Sequence, residues 1–287
     1  MSSAFTTATD RDGGGKTMIR LTDSEFEKIV SYVKSNYGIN LIQKRQLIEA
    51  RMYSALTEKG MNNFTDYFAL IKQNNSGEVT NLINRLTTNH TYFMREQAHF
   101  DFLKKAILPM QEKTNRQKNL RIWSAGCSSG EEAFTTIMVI RDYFGMRERE
   151  WDYRILATDI SERAMQGAKT GMYTADSLKN IPADWKKKYF CAEAGEMFSL
   201  RPEVKDQVIF KKLNLMAPFV FRAPFDLIFC RNVMIYFEQP TRDKLIQKFY
   251  DVLKPGGYLF IGHSETIQRE SSPFRYIEPS VYQKGYK

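Results

Sequence analysis

The sequence predicts an α/β domain, with a mostly parallel sheet covered by helices on both faces, preceded by a smaller all-helical domain. Three observations carry this. From Leu120 onward, apolar runs of strand length alternate with helical patterns. A glycine turn, Gly126 to Gly130, follows the first of these strands and opens a helix. The last two strand-like runs, Phe274 to Ile277 and Ser280 to Lys284, read as an antiparallel hairpin around Glu278-Pro279.

The elements are expected in the following order. Met1 to Lys16 is rich in Ser, Thr and Gly and has neither the apolar core nor the cleavage pattern of a secretory signal, so residues 1–18 are expected to form a disordered arm. Residues 19–97 are expected to form the helical domain. Thr22-Asp23-Ser24-Glu25 offers an N-cap with acidic first-turn residues, and Phe26, Ile29, Val30 and Val33 then repeat at helical spacing until Gly38. Further helices fit Ile42 to Lys59, Phe64 to Gln73 and Glu78 to Leu86. A linker over 98–119 holds a helix from Ala98 to Met110. The α/β domain then spans 120–287, with strands at Leu120–Ser124, Tyr153–Thr158, Val208–Leu213, Phe225–Cys230 and Tyr258–Gly262. Its helices start near Glu131, Ser161 and Thr241. Residues of about 186–207 interrupt the alternation as a small antiparallel insert, built from Tyr189-Phe190-Cys191, Met197 to Leu200 and Val208-Ile209-Phe210.

A chain of 287 residues can bury two modest cores, and no apolar run approaches the length needed to span a bilayer. The expectation is a soluble cytoplasmic protein without membrane insertion. Cys127, Cys191 and Cys230 are odd in number and widely spaced, which argues against disulfides and zinc. His90, His99 and His263 are equally scattered, so no metal site is expected. The net charge of +9 favours an acidic partner, nucleic acid or protein. Gly13-Gly14-Gly15-Lys16-Thr17 resembles the end of a phosphate loop, but the motif's first glycine would fall at Asp10 and no strand precedes it.

The chemistry is expected where strands end, because in doubly wound sheets ligands bind outside the carboxyl ends at the point where strand order reverses. Gly126 lets the backbone turn sharply beside a ligand. Where a phosphate loop would place Lys-Ser or a free helix N-terminus, this chain has Glu131 and Glu132. Two carboxylates repel pyrophosphate and suit hydroxyls and cations. The inferred cofactor is cationic and carries no phosphate, and S-adenosylmethionine fits. Asp159, at a strand end, can accept hydrogen bonds from ribose hydroxyls or cap the Ser161 helix. Asn214 and Leu215 follow another strand and could reach an adenine edge; an Asn there is also a common turn former. The strand Phe225 to Cys230 delivers Arg231 and Asn232 to its end, followed by Tyr236. Polar groups buried there must either line a polar cavity or pair internally, and the cavity is the favoured reading. Asn89-His90-Thr91-Tyr92-Phe93-Met94-Arg95-Glu96 mixes short polar residues with aromatics; Thr91 and Arg95 share a face if the stretch is helical.

Read together, Thr-Asn-His-Thr-Tyr-Phe-Met-Arg-Glu, Trp-Ser-Ala-Gly-Cys-Ser-Ser-Gly-Glu-Glu, Ala-Thr-Asp-Ile, Asn-Leu-Met, Phe-Cys-Arg-Asn-Val-Met-Ile-Tyr-Phe and Leu-Lys-Pro-Gly-Gly-Tyr-Leu-Phe-Ile-Gly-His-Ser-Glu occur in one order. That series resembles the chemotaxis receptor methyltransferases, the CheR family, over about residues 20 to 284. The resemblance implies a class I S-adenosylmethionine-dependent methyltransferase fold, Rossmann-like with a C-terminal antiparallel hairpin. It implies methyl transfer to glutamate side chains on the cytoplasmic helices of chemoreceptors, with S-adenosylhomocysteine as product. By matching position it places Asn89, Thr91, Arg95, Glu131, Asp159, Asn214, Leu215, Arg231 and Asn232 at the cofactor, beside Gly126, with Arg95 and Tyr236 bordering the reacting methyl group. Some members grip a receptor C-terminal peptide with a glycine-containing insert loop; here Ala192 to Glu196 is short, which argues against such a tether. Acidic receptor helices would meet a basic face formed by Lys44, Arg45 and Arg51.

Three rivals remain in view, the first a receptor-binding signalling module without catalysis, against which the intact polar residues at every matched strand end argue. A nicotinamide-dependent dehydrogenase would need Gly-x-Gly-x-x-Gly, whereas the turn is Gly-x-x-x-Gly. A methyltransferase of nucleic acid or another acidic substrate would use the same cofactor, but no RNA module or Asn/Asp-Pro-Pro-Tyr tetrapeptide is present. The expected enzyme acts on protein, as a monomer.

Overall fold

A computed structural model describes residues 19–73, 76–87, 90–268 and 272–286. The arm over 1–18, with its glycine-lysine run, and Asn89 lie outside the described residues. The chain divides into two compact units, the first ending at residue 88 and the second beginning at residue 89.

The first unit holds α1 (Asp23–Tyr37), α2 (Arg45–Glu58), α3 (Phe64–Lys72) and α4 (Ser76–Leu86). Thr22 and Glu25 form the reciprocal capping box that opens α1, and Gly38 ends it in the left-handed conformation. Ile29, Val33, Ile48, Met52, Leu56, Phe64, Ile71 and Leu82 fill the core among the four helices. Glu25 also accepts the Thr65 hydroxyl at 2.8 Å, so the cap ties α1 to α3.

The second unit begins with α5 (Gln97–Phe102), a π-helical turn (Leu103–Ile107) and α6 (Leu108–Thr114). The expected domain boundary at residue 97 therefore falls inside it, for a packing reason. Phe93 is fully buried, with its ring 4.8 Å from that of Tyr173 and 5.5 Å from that of Phe190. The Met94 N–H donates to Thr135 Oγ1 at 3.3 Å.

The sheet elements follow as β1 (Ile122–Ala125), α7 (Glu131–Phe144), β2 (Ile155–Asp159), α8 (Glu162–Thr170), β3 (Met172–Thr174), α9 (Ala183–Tyr189), β4 (Phe190–Ala192), β5 (Met197–Leu200), α10 (Pro202–Lys205), β6 (Val208–Lys212), β7 (Phe225–Cys230), α11 (Gln239–Val252), β8 (Leu253–Ile261), β9 (Arg275–Glu278) and β10 (Val281–Gln283). The large sheet has the order β6-β2-β1-β7-β8-β10-β9. Its first five strands are parallel, and β10 runs antiparallel between β8 and β9, as the terminal hairpin predicted. Chain order reverses at β1, which pairs β2 on one side and β7 on the other. β7 is buried along its whole length, as a central parallel strand must be.

The insert differs from expectation in one strand. It is a three-stranded antiparallel sheet, β3-β5-β4, whereas Val208 to Phe210 belong to β6 at the edge of the large sheet. Met172–Thr174, outside the expected 186–207, supplies the missing strand. Gly171, at φ 67°, turns the chain out of α8 into β3, and Tyr173 then enters the core.

Candidate active site

The site is built at the carboxyl ends of four adjacent strands. β6, β2, β1 and β7 lead respectively into Asn214, Asp159, Gly126 and Arg231-Asn232. The predicted strand-end residues are thus gathered at the reversal of strand order.

The glycine turn is fastened by backbone bonds. The Gly126 and Cys127 N–H groups both donate to the Thr158 carbonyl, at 2.8 and 3.0 Å. Ser128, at φ 49°, donates its N–H to Asp159 Oδ2 at 2.8 Å, and Asp159 Oδ1 accepts the Ser161 N–H at 2.8 Å. Asp159 therefore ties the turn to the start of α8, while the capping oxygen belongs to Ser161, which accepts the Ala164 N–H. Burial pushes the Asp159 carboxyl above its usual range. Gly126, at φ 86°, has no room for a side chain: a Cβ would stand 2.5 Å from Val233 Cγ2.

Glu131 begins α7 with its residue 4% exposed. The Ser129 hydroxyl lies 2.9 and 2.7 Å from its two oxygens, and the Ser129 carbonyl accepts the Tyr173 hydroxyl at 2.7 Å. Burial raises the Glu131 carboxyl, and the Ser129 hydroxyl only partly offsets it. Among the described residues no ion pair is made to it. A buried carboxylate without a counter-ion is costly, and a cationic ligand relieves that cost. Together with the cradle opened at Gly126, this fits S-adenosylmethionine, whose sulfonium and ammonium are cationic.

Arg231 is held differently from the favoured sequence reading. Its guanidinium pairs internally: Nε donates to Glu96 Oε2 at 3.0 Å, Nη1 to Glu132 Oε2 at 3.1 Å, and Nη2 to the Arg95 carbonyl. Glu132 also accepts the Ser124 hydroxyl at 2.6 Å. Burial raises Glu132 even with Arg231 beside it. Glu96 feels the same burial, but the Arg231 charge and the His263 N–H outweigh it and hold Glu96 below the usual range. Arg231 thereby joins the 90–96 segment to β1 and α7.

Arg95 is half-buried; its Nη1 donates to the His90 carbonyl at 2.5 Å and its guanidinium carbon stands 5.9 Å from the centre of the Tyr92 ring. Thr91 is likewise half-buried in the same segment. Tyr236 closes a short 3₁₀ turn, Met234–Tyr236, with Ile235 exposed beside it. Asn214 Oδ1 accepts the Met216 N–H at 2.9 Å, the turn-forming role open to it in the sequence, and the Leu215 carbonyl accepts Lys248 Nζ at 2.5 Å.

Of the expected docking residues, all in the first unit, Lys44 is exposed. Arg45 pairs with Asp23 at 2.6 Å and donates to the Leu21 carbonyl, and Arg51 Nη1 lies 3.2 and 3.3 Å from the Arg85 and Thr87 carbonyls.

Sequence reasoning missed Glu96, Tyr173 and Glu265, and gave Glu132 no structural role. Extending the strand-end test to β8 would have found Glu265, which is 5% exposed and accepts the Asn232, Ile235 and Gly262 N–H groups.

Two histidines that are distant in sequence also meet. The rings of His99 and His263 are 5.2 Å apart, and ligand-type atoms of Glu96, His99 and His263 lie within 4.8 Å of one another. Both Glu96 oxygens are already taken, one by Arg231 and the other by the His263 and Asn232 N–H groups. A cation there would compete with a buried guanidinium, so the cluster reads as packing. Burial, with Arg231 nearby, lowers His99 to about 3.

Residues 89–282 match the family model described as CheR methyltransferase, SAM binding domain, and residues 24–87 match CheR methyltransferase, all-alpha domain. The chain is 44% identical over 273 residues to a chemotaxis protein methyltransferase of Borreliella burgdorferi, covering 93% of this chain and 96% of that one. It is 35% identical over 270 residues to the chemotaxis protein methyltransferase of Escherichia coli, covering 92% of each.

Proposed function

The chain belongs to the CheR methyltransferase family, and we propose that it transfers a methyl group from S-adenosylmethionine to glutamate side chains on chemoreceptor helices, forming γ-glutamyl methyl esters. The observation that carries the cofactor side of this reading is Glu131, a buried carboxylate at the glycine turn with no counter-ion among the described residues. S-adenosylhomocysteine is the product. The relatives' names support a chemotaxis protein as substrate, and the family resemblance points to receptor glutamates.

When bound, the methyl donor supplies an electrophilic carbon on a sulfonium; the rest falls to side chains. A substrate glutamate with a pKa of about 4.3 is already ionised near neutrality, so no general base is required. Placement and the exclusion of water supply the acceleration. Glu131 provides the counter-charge, and Asp159, whose carboxylate can accept more than the Ser128 and Ser161 N–H groups, suits hydroxyl donors. Asn89, Thr91, Asn214, Leu215 and Asn232 complete the cofactor contacts. Arg95 orients a carboxylate and Tyr236 flanks the reacting methyl. Arg231, with all three nitrogens bonded to protein oxygens, acts through the segments it joins.

Lys44, Arg45 and Arg51 form the basic face that meets acidic receptor helices, with Lys44 its exposed member. The insert turn over 193–196, closed by the Glu193 N–H to Met197 carbonyl bond of 2.8 Å, is assigned no receptor peptide. The enzyme works in the cytoplasm as a monomer.

The test pairs calorimetry with S-adenosylmethionine and transfer of tritiated methyl to receptor fragments or RNA. Base-labile label on receptor glutamates is the expected result. Label on RNA alone, or base-stable label on the receptor, sinks the proposed substrate.

A further inference from the structure

Asn232 stands in the left-handed conformation, at φ 57°, immediately after the Arg231 network. Asn tolerates that region better than most residues, but something must hold it there. Glu265, in the segment that follows β8, reaches back to do so. Its Oε2 accepts the Asn232 N–H at 2.9 Å and the Gly262 N–H at 2.6 Å, and its Oε1 accepts the Ile235 N–H at 3.2 Å. The carboxylate is 5% exposed, and burial raises it above its usual range while the backbone donors pull the other way.

Gly262 makes the arrangement possible. A Cβ there would stand 2.6 Å from Asn232 Nδ2, 2.8 Å from Asn232 N and 2.9 Å from Glu265 Oε2. The residue that follows β8 therefore lets the Asn232 backbone and the Glu265 carboxylate approach.

From this convergence we infer that Glu265 is a positioning residue for methyl-donor binding, acting through Asn232. The inference rests on the donor-site reading above, in which Asn232 touches the cofactor. Glu265 itself touches backbone donors. Replacing its carboxylate by an amide turns a donor towards one of the N–H groups it now accepts, leaving buried backbone groups opposed.

The experiment uses the full chain and S-adenosylmethionine, with affinity read by calorimetry and folding by thermal melting. Glu265→Gln is expected to weaken donor affinity about 10-fold, the scale of one lost charge-assisted bond, with only a small change in melting temperature. Gly262→Ala should reproduce that loss from the other side of the contact. In an Asn232→Gly background, which keeps the left-handed backbone and removes the side chain, Glu265→Gln should cost no more than about 2-fold. Should Glu265→Gln not fold, Glu265→Asp, which keeps the charge on a shorter arm, carries the same comparison.

A purely structural role gives another pattern: fewer active molecules at unchanged donor affinity. That pattern overturns the inference, as does full additivity with Asn232→Gly. Donor binding needs no receptor, so a wild-type chain that binds the donor and leaves receptors unlabelled counts against the proposed substrate alone. A wild-type chain that does not bind the donor overturns the inference together with the site.

Discussion

Arg231 and Glu132 form an interior ion pair, Nη1 to Oε2 at 3.1 Å, with the arginine side chain 3% exposed and the glutamate side chain 13% exposed. Glu96 closes on the same guanidinium from the opposite segment at 3.0 Å. Two carboxylates thus share one cation. Such a group is costly to desolvate but far costlier to break on one side.

Arg231→Met should therefore destabilise the chain by about 3–5 kcal/mol, because it leaves two buried carboxylates facing each other without a cation. Adding Glu132→Gln should recover part of that loss, since one of the uncompensated charges disappears. Urea denaturation of the two single variants and the double variant measures this. Additive losses would mean that the pair is not coupled as its geometry requires.

Glu131 calls for the opposite result. It is buried without a counter-ion in the described residues, so Glu131→Gln should leave the free protein as stable or slightly more so. It should also weaken S-adenosylmethionine affinity about 10-fold or more, the scale of a charge-assisted contact. The folded pKa is raised, so the native state binds more protons than the unfolded state between about 4.5 and that raised value. This group's contribution to free-protein stability consequently falls as pH rises through that window. Cofactor affinity runs the other way and strengthens as the carboxylate ionises. Calorimetry from mildly acid to neutral pH should show a shallower rise in Glu131→Gln than in wild type; Asp159, also raised, supplies the residual slope.

The part of this site legible in the sequence was the part carried by local pattern. Gly126, Asp159, Asn214 and Arg231 each stand at or just beyond the end of a strand, and that rule located four strand ends that the sheet order then made neighbours. The capping box at Thr22 and the terminal hairpin were local in the same way. Partner choice was not local. Glu96 reaches Arg231 across 135 positions and Glu265 reaches Asn232 across 33, so nothing in either neighbourhood distinguishes an internally paired arginine from one lining a cavity. Met172–Thr174 was missed as a strand because a three-residue run beside a helix-ending glycine carries almost no periodicity, and its pairing with β5 decides it.

His99 yields a stability prediction with a definite sign. Its ring is 1% exposed, neither nitrogen has a hydrogen-bond partner among the described residues although Nδ1 lies 3.5 Å from Glu96 Oε2, and it stacks on Phe260 at 5.0 Å. Burial first, and then Arg231, hold its pKa near 3 against a usual 6.5. Between those values the unfolded chain takes up a proton that the native chain does not, so this contribution is present above 6.5 and is lost as pH falls towards 3. The slope is about 1 kcal/mol per pH unit at its steepest. The ionisable groups facing the ring are Glu96, Arg231 and His263, and Glu96 opposes the shift. His99→Phe, which keeps the stacking and sacrifices no hydrogen bond, should flatten the acid side of the stability curve. An unchanged curve would show that another group sets it.

Gly126 and Val233 give the most local test of how the glycine turn is shaped. Gly126→Ala places a Cβ 2.5 Å from Val233 Cγ2 at a backbone φ of 86°. The conformational strain alone is on the order of 1–2 kcal/mol, and the collision must displace either the turn or the segment carrying Asn232 and Tyr236. Val233→Ala removes the colliding methyl and none of the strain. Gly126→Ala alone should therefore lose both stability and S-adenosylmethionine affinity, and the double variant should recover affinity more than stability, because only the steric part is relieved. Thermal melting and calorimetry on the same samples separate the two. Recovery of neither quantity would mean that the left-handed backbone, and not the contact with Val233, is what requires glycine at this position.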